Sequence, residues 1–412
     1  MNNRSDASRP TRIAIIGANF AGIQAALGLP PKLDVTVIDP GAHVEFLPNI
    51  HELVSGIKAP RQLRLSRSKI LNRARHRFLN DRVTRLEPDQ RRLTTRSGKR
   101  ISFDLCLLAV GGESNTRGIP GAAELAMPFK TVADCRAIGL RLRSRLAAGR
   151  PVSVGIIGGG LEGIEALGEI LRRYRHVPGL AIHLIERNRR LLPGAPLALG
   201  RDIQRICRNL PVHFHTGVTV EAVLPGRIQI KSDQMIPSDI TIWTAGAKPP
   251  KLLAEAGLSP APDKWAPVDL WLRSRYCPEI FIAGDAAQLP RPIARQAYHA
   301  LDMGTVAAEN ILRTAAGRPL KKFSSSSKPI LIAFGDLTTY MVLGRLAVAS
   351  PALAGAKEAI YQAVMTRLDP PVTPGAALSF GDRIAAGIHN QILSPLTSPT
   401  ALLRMAGVRV LY

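Results

Sequence analysis

"RIAIIGANFAGIQAA", residues 12–26, decides the fold. A short apolar run from Arg12 to Ile16 is broken by Gly17, helix formers follow from Phe20, and a second apolar run, "LDVTVID", ends at Asp39. This order predicts strand, tight turn, helix and strand, a βαβ unit. Its turn presents backbone N–H groups and a positive helix N-terminus to a pyrophosphate. A carboxylate about 20 residues on is placed to accept hydrogen bonds from a ribose diol. The loop Gly17, Ala18, Asn19, Phe20, Ala21, Gly22 keeps the outer glycines of G-x-G-x-x-G, with Asn19 in the middle position. Asn is the non-glycine residue that best tolerates left-handed backbone angles. Asn19 is therefore expected to preserve the turn and either to displace the phosphate slightly or to donate its amide to it.

The unit recurs downstream. "PVSVGIIGGGLEGIEALGEILRRY", residues 151–174, gives a strand, a complete fingerprint at Gly158, Gly160 and Gly163, and a helix; the next strand, "LAIHLIERN", carries Glu186 near its end. Two cradles in one chain imply two dinucleotides. A carboxylate at the ribose repels a 2′-phosphate and favours NADH, although Arg187, Arg189 and Arg190 stand ready to offset that repulsion. A third signal, "EIFIAGDAAQLPRPIARQAYHALDMGTVAAENIL" from 279, predicts a strand ending at Gly284 and Asp285, then a helix over about 293–312. Asp285 there suits a sugar or ribityl hydroxyl, or equally a helix cap.

Together "IAIIGANFAG", "FDLCLLAVGGESNTRGIPGA", "VGIIGGGLEGIEALGEI", "SDITIWTAGAKPP" and "EIFIAGDAA" cover about residues 11–345. In order and spacing they resemble the two-dinucleotide flavoproteins: pyridine nucleotide disulfide reductases, type II NADH dehydrogenases and sulfide:quinone reductases. The resemblance implies an α/β protein with two Rossmann-like domains, an FAD domain interrupted by an NAD(P)H domain, plus a C-terminal extension. The corresponding boundaries are FAD domain 1–118 and 244–320, NAD(P)H domain 119–243, and an interface or membrane-docking region 321–412. It further implies FAD on the loop 17–22 with Asp39, Ala109, Gly111, Gly284 and Asp285. NADH, with NADPH as the alternative, falls to Gly158, Gly160, Gly163, Glu186 and the Gly246 loop, and Glu165 lies near the nicotinamide and the flavin.

The four cysteines, Cys106, Cys135, Cys207 and Cys277, lack CxxC or metal-ligand spacing, so no metal is assigned, and neither cradle helix carries a cysteine pair. The thiol-free branch, the type II NADH dehydrogenases and related quinone reductases, is the better match, with a quinone-type acceptor. One departure stands out. Where that branch has the paired glutamines of AQxAxQ, this chain has Arg295 and His299. Both can still hydrogen-bond a quinone carbonyl, and His299 can deliver a proton, while the departure leaves another small molecule or dioxygen open as the acceptor. His51, in "HVEFLPNIHELVSG", falls in the segment that passes the flavin in the family, where it contacts flavin or acceptor or serves the core.

The net charge of +24 points to an anionic partner, and residues 61–100 hold 14 Lys or Arg against 3 acids. Such a field is attracted to anionic lipid. "GDRIAAGIHNQILSPL" sets Ile384, Ile388 and Ile392 on one helical face, suited to a bilayer, to the protein's own body or to a second subunit in a homodimer. No apolar run nears the roughly 18 residues of a membrane span, and the polar start lacks a signal-peptide core. The expected location is the cytoplasm or the inner membrane face. The alternatives kept are a soluble biosynthetic flavin oxidoreductase and a nucleotide-sensing protein whose basic face meets lipid or nucleic acid. With only 5% aromatics, base stacking on nucleic acid is poorly supported.

Overall fold

The computed structural model describes residues 10–231, 233–325, 328–370 and 408–411. Its contacts divide into two units: 1–45, 64–113 and 247–326 in the first, 46–63, 114–246 and 327–412 in the second. Residues 46–63, sequence neighbours of the first cradle, thus join the second unit.

In the first unit five parallel strands are ordered Ile280–Ile282, Leu105–Leu108, Arg12–Ile16, Asp34–Ile38 and Arg77–Leu79. Their runs are apolar without alternation because both faces are covered: Ile13, Ile15, Val35, Val37 and Leu107 are all buried. The helix Phe20–Leu27 packs against the helix Ala297–Ala315. A Cβ at Gly304 would stand 2.3 Å from the Ala21 carbonyl oxygen, so the crossing admits no side chain there. The latter helix starts later than its sequence suggests, at Ala297, since residues 291–296 form no regular structure and Gln296 is extended. The basic stretch supplies an antiparallel sheet, Val83–Glu87, Arg92–Thr95 and Arg100–Ser102.

In the second unit a parallel sheet is ordered Ala126–Pro128, Ile240–Trp243, Val152–Ile157, Leu180–Glu186 and Val212–Thr216. The helix Leu161–Tyr174 follows the second glycine loop, and a capping box of Thr131 and Asp134 starts the helix Val132–Ala147. A separate antiparallel sheet comprises Ile330–Phe334, Thr338–Leu343, Leu346–Ala349 and Arg409–Leu411, with the helix Leu353–Leu368 against it. Arg409–Leu411, inside the region expected to serve an interface or membrane docking, is therefore an edge strand. Arg409 and Tyr340 both donate to Asp202, at 2.5 and 3.0 Å. Ile384, Ile388 and Ile392 lie outside the described residues.

Candidate functional site

The two glycine loops are built alike. Gly17 N donates to Ile38 O, and Gly158 N donates to Ile185 O, tying each turn to the second strand. Gly17 and Gly158 have φ of +91° and +113°, which glycine adopts without strain. A Cβ at Gly22 would lie 1.8 Å from Gly17 O, and one at Gly163 would lie 1.9 Å from Gly158 O, so each helix rests directly on its turn. Against each first glycine packs the segment after a neighbouring strand, Ala109 in one case and Thr244 in the other. At Gly160, by contrast, a Cβ would meet nothing within 4 Å. That open position fits a pyrophosphate brought against the backbone N–H groups.

Asn19 holds the corresponding position with φ −97° and ψ −147°. Left-handed tolerance is thus not what this site asks of it. Its Oδ1 accepts a 3.0 Å hydrogen bond from Glu45 N, so the side chain is turned to the strand His43–Glu45, with only its amide nitrogen left to face a phosphate.

The terminal acids do structural work as well. Asp39 accepts from Ala18 N at 2.8 Å, from Gly41 N at 2.8 Å and from Arg67 at 2.6 Å. Glu186 accepts from Gly159 N at 2.7 Å and from both nitrogens of Asn188. Each carboxylate fastens its loop to the sheet. Arg67, which sequence reasoning missed, is buried and also donates to Ala18 O and Gly41 O.

Parallel pairing brings Gly284 and Asp285 to the first cradle, where a Cβ at Gly284 would touch Ala21 and Ala300. The cap reading of Asp285 is corrected: it sits in a short 3-10 turn, Gly284–Ala286, and Gln296 is the residue preceding the helix. A cleft lined by Asp285, Gln288, Arg295, Gln296, His299 and Met303 opens beside it. Arg295 donates to Asp285 O at 3.1 Å and lies 3.9 Å over the Trp265 ring. His299 is buried. Gly111 and Gly246 both have positive φ; the first lies in the first unit, the second in the other.

Glu165 and Glu169, four apart and so on one helix face, point into the second unit. Gly168 and Gly335 meet between them: a Cβ on either would lie within 2.5 Å of the other's backbone. This close crossing lets Ala333 N donate to Glu165 Oε1 at 3.2 Å. Lys357 Nζ donates to the same oxygen at 2.5 Å, and His51 Nδ1 stands 3.5 Å from Glu165 Oε2. Burial pushes the Glu165 carboxyl above its ordinary range, with Lys357 opposing. Burial, with Lys357, Arg172 and Lys58, holds His51 well below 6.5. Next to this, Lys58 pairs with Glu358 at 2.6 Å and Glu52 at 3.4 Å, and Glu169 accepts from Ser55 and Arg172. The only signal for Lys357 and Glu358 was an adjacent pair of charges in the first turns of a mostly apolar helix. The cysteines are all free, three of them buried, and burial drives Cys207 up to about 12.

The model of the pyridine nucleotide-disulphide oxidoreductase family matches residues 11–304. The chain is 28% identical over 393 residues to an alternative NAD(P)H-ubiquinone oxidoreductase C1 of Arabidopsis thaliana, covering 82% of this chain and 72% of that one. It is 24% identical over 380 residues to the demethylphylloquinone reductase NdbB of a Synechocystis species, covering 86% and 92%. Among solved structures, NDH2 of Plasmodium falciparum in complex with NADH superposes with a TM-score of 0.79 at 16% identity, covering 92% of this chain and 98% of that one. The congruent cradles and these matches agree: the chain belongs to the pyridine nucleotide-disulphide oxidoreductase family.

Proposed function

We propose that the protein is an FAD-dependent oxidoreductase that takes hydride from NADH, with NADPH the alternative, and delivers electrons to a quinone. The observation that carries this is the pair of congruent glycine cradles, one joined by Asp285 and the other lying in the unit that holds Glu165. The names of the relatives support the quinone as acceptor.

FAD, when bound, accepts hydride from the nicotinamide and releases electrons to the acceptor. The chain's own work is positioning. The loop 17–22 with Asp39, Ala109, Gly111 and Asp285 would hold FAD, and Gly158, Gly160, Gly163, Glu186 and Gly246 would hold NADH. The outer glycines permit the turn at both loops; Gly160 leaves the middle of the second open, and in the first the Asn19 side chain is turned aside to Glu45 N. Lys357 Nζ donates to Glu165 Oε1 across 2.5 Å with both side chains nearly closed to solvent, a store for one of the two protons that a quinone takes up. Arg295 and His299 supply donors for an acceptor carbonyl.

Among the described residues no helix is long and apolar enough to cross a membrane. The basic field at 61–100 supports peripheral contact with anionic lipid. The test is direct: record the visible spectrum of the purified protein, add NADH without oxygen, then add a short-chain quinone. Flavin absorbance that bleaches and then recovers is expected. A protein that takes up no FAD would sink the proposal, and bleaching without recovery would remove the quinone.

A further inference from the structure

The second parallel sheet ends on the edge strand Val212–Thr216, which carries His213 and His215 on one face, two residues apart. Strand register pairs His213 with His183 of the neighbouring strand, so three imidazoles share that face. The rings of His183 and His213 stack with centroids 4.9 Å apart, and those of His183 and His215 with centroids 5.4 Å apart. His183 Nδ1 and His215 Nε2 are 3.1 Å apart. Both residues are half-buried and His213 is exposed. Neither cradle uses them.

We propose that His183 Nδ1 and His215 Nε2 chelate a divalent transition-metal ion, Cu²⁺, Ni²⁺ or Zn²⁺, with water completing the coordination sphere and His213 at its edge. Two nitrogens bound at 2.0–2.1 Å, at right or tetrahedral angles, stand about 2.9–3.4 Å apart, and the observed separation falls inside that interval. The existing hydrogen bond already sets one N–H opposite one lone pair, and a rotation of each ring turns both nitrogens onto a shared ion. For both nitrogens to bind metal, the donor ring moves its proton to its other nitrogen; no proton is lost. Imidazole suits these three ions, with Cu²⁺ the tightest. Among the described residues no group of three or more His, Cys, Asp or Glu is set as a metal site, but a bidentate site needs only the pair. A bound ion would clamp the edge strand to the strand that ends in Glu186.

The test uses the full chain, untagged and cleared of metal with a chelator, titrated with Cu²⁺ by calorimetry, electron paramagnetic resonance and thermal unfolding. One equivalent should bind with two-nitrogen hyperfine structure and raise Tm, because the ion binds the preformed pair more tightly than the scattered histidines of the unfolded chain. His215→Gln and His183→Gln should each weaken binding at least tenfold and abolish the rise in Tm, while His176→Gln changes neither. Wild-type affinity in either site variant would overturn the proposal, as would a resonance spectrum unchanged by both substitutions. Circular dichroism and NADH titration confirm that each variant is folded.

Discussion

Lys357 Nζ lies 2.5 Å from Glu165 Oε1 across 192 residues of sequence, with both side chains nearly closed to solvent. Burial costs each charge its hydration, and the partner, the Ala333 N–H and the His51 ring nitrogen facing Lys357 offset that. Lys357→Met strands the carboxylate and is expected to destabilise the fold by about 3–5 kcal/mol. The double variant Lys357→Met with Glu165→Gln removes both charges and should cost less than the two single changes added together. Urea unfolding of the four proteins measures the coupling; additive losses would show that the pair does not interact.

His51 makes stability depend on pH. It stays neutral in the folded chain well below 6.5, whereas the unfolded chain takes up its proton near 6.5. Below that pH the unfolded state binds more protons, so stability falls as the pH drops, by up to about 1.4 kcal/mol per unit. Glu165 acts in the opposite sense: its folded pKa is raised, so its contribution is lost as pH rises from 4.5 through the raised value. His51→Gln removes the first effect only. As the pH falls from 6.5 to 5 its urea midpoint should rise relative to that of wild type; a parallel pH dependence would contradict this assignment.

The glycines separate folding from binding. Gly163→Ala places a Cβ 1.9 Å from Gly158 O and should lower Tm by several degrees. Gly160→Ala meets no protein atom, so Tm should hold within about 1 °C while the Kd for NADH, read by fluorescence titration, rises roughly tenfold, since 1.4 kcal/mol of lost contact is a factor of ten. Equal loss of Tm in both would mean the middle position is structural.

Asn19→Asp keeps an oxygen for Glu45 N but sets a negative charge where a phosphate is expected. Asn19→Gly gives up the hydrogen bond, at a cost of about 0.5–1.5 kcal/mol, and leaves the cradle neutral. FAD content by absorbance ratio should therefore fall sharply in Asn19→Asp and persist in Asn19→Gly. The reverse order would show that the Asn19 side chain itself holds the cofactor.

Both βαβ units, both terminal acids and the strand before Asp285 were legible because each is a local pattern: an apolar run, a glycine, a helix, an acid at fixed spacing. The role of Asn19 was not, since its backbone angles and its bond to Glu45 depend on where the strand His43–Glu45 lies. Arg67 was hidden among other arginines of the basic stretch, and only the fold selects it to hold Asp39. Likewise the sequence marks Cys106 and Cys277 as unpaired by spacing, and the structure keeps both free.

Sequence alone determined the two nucleotide cradles, because turn geometry and helix dipole act over a few residues. Tertiary structure decided what surrounds Glu165. His51, Lys357 and the Ala333 N–H arrive from segments far apart in the chain, drawn together where Gly168 and Gly335 let a helix and a strand touch backbone to backbone. Burial then makes those charges depend on one another, a property that no single segment carries.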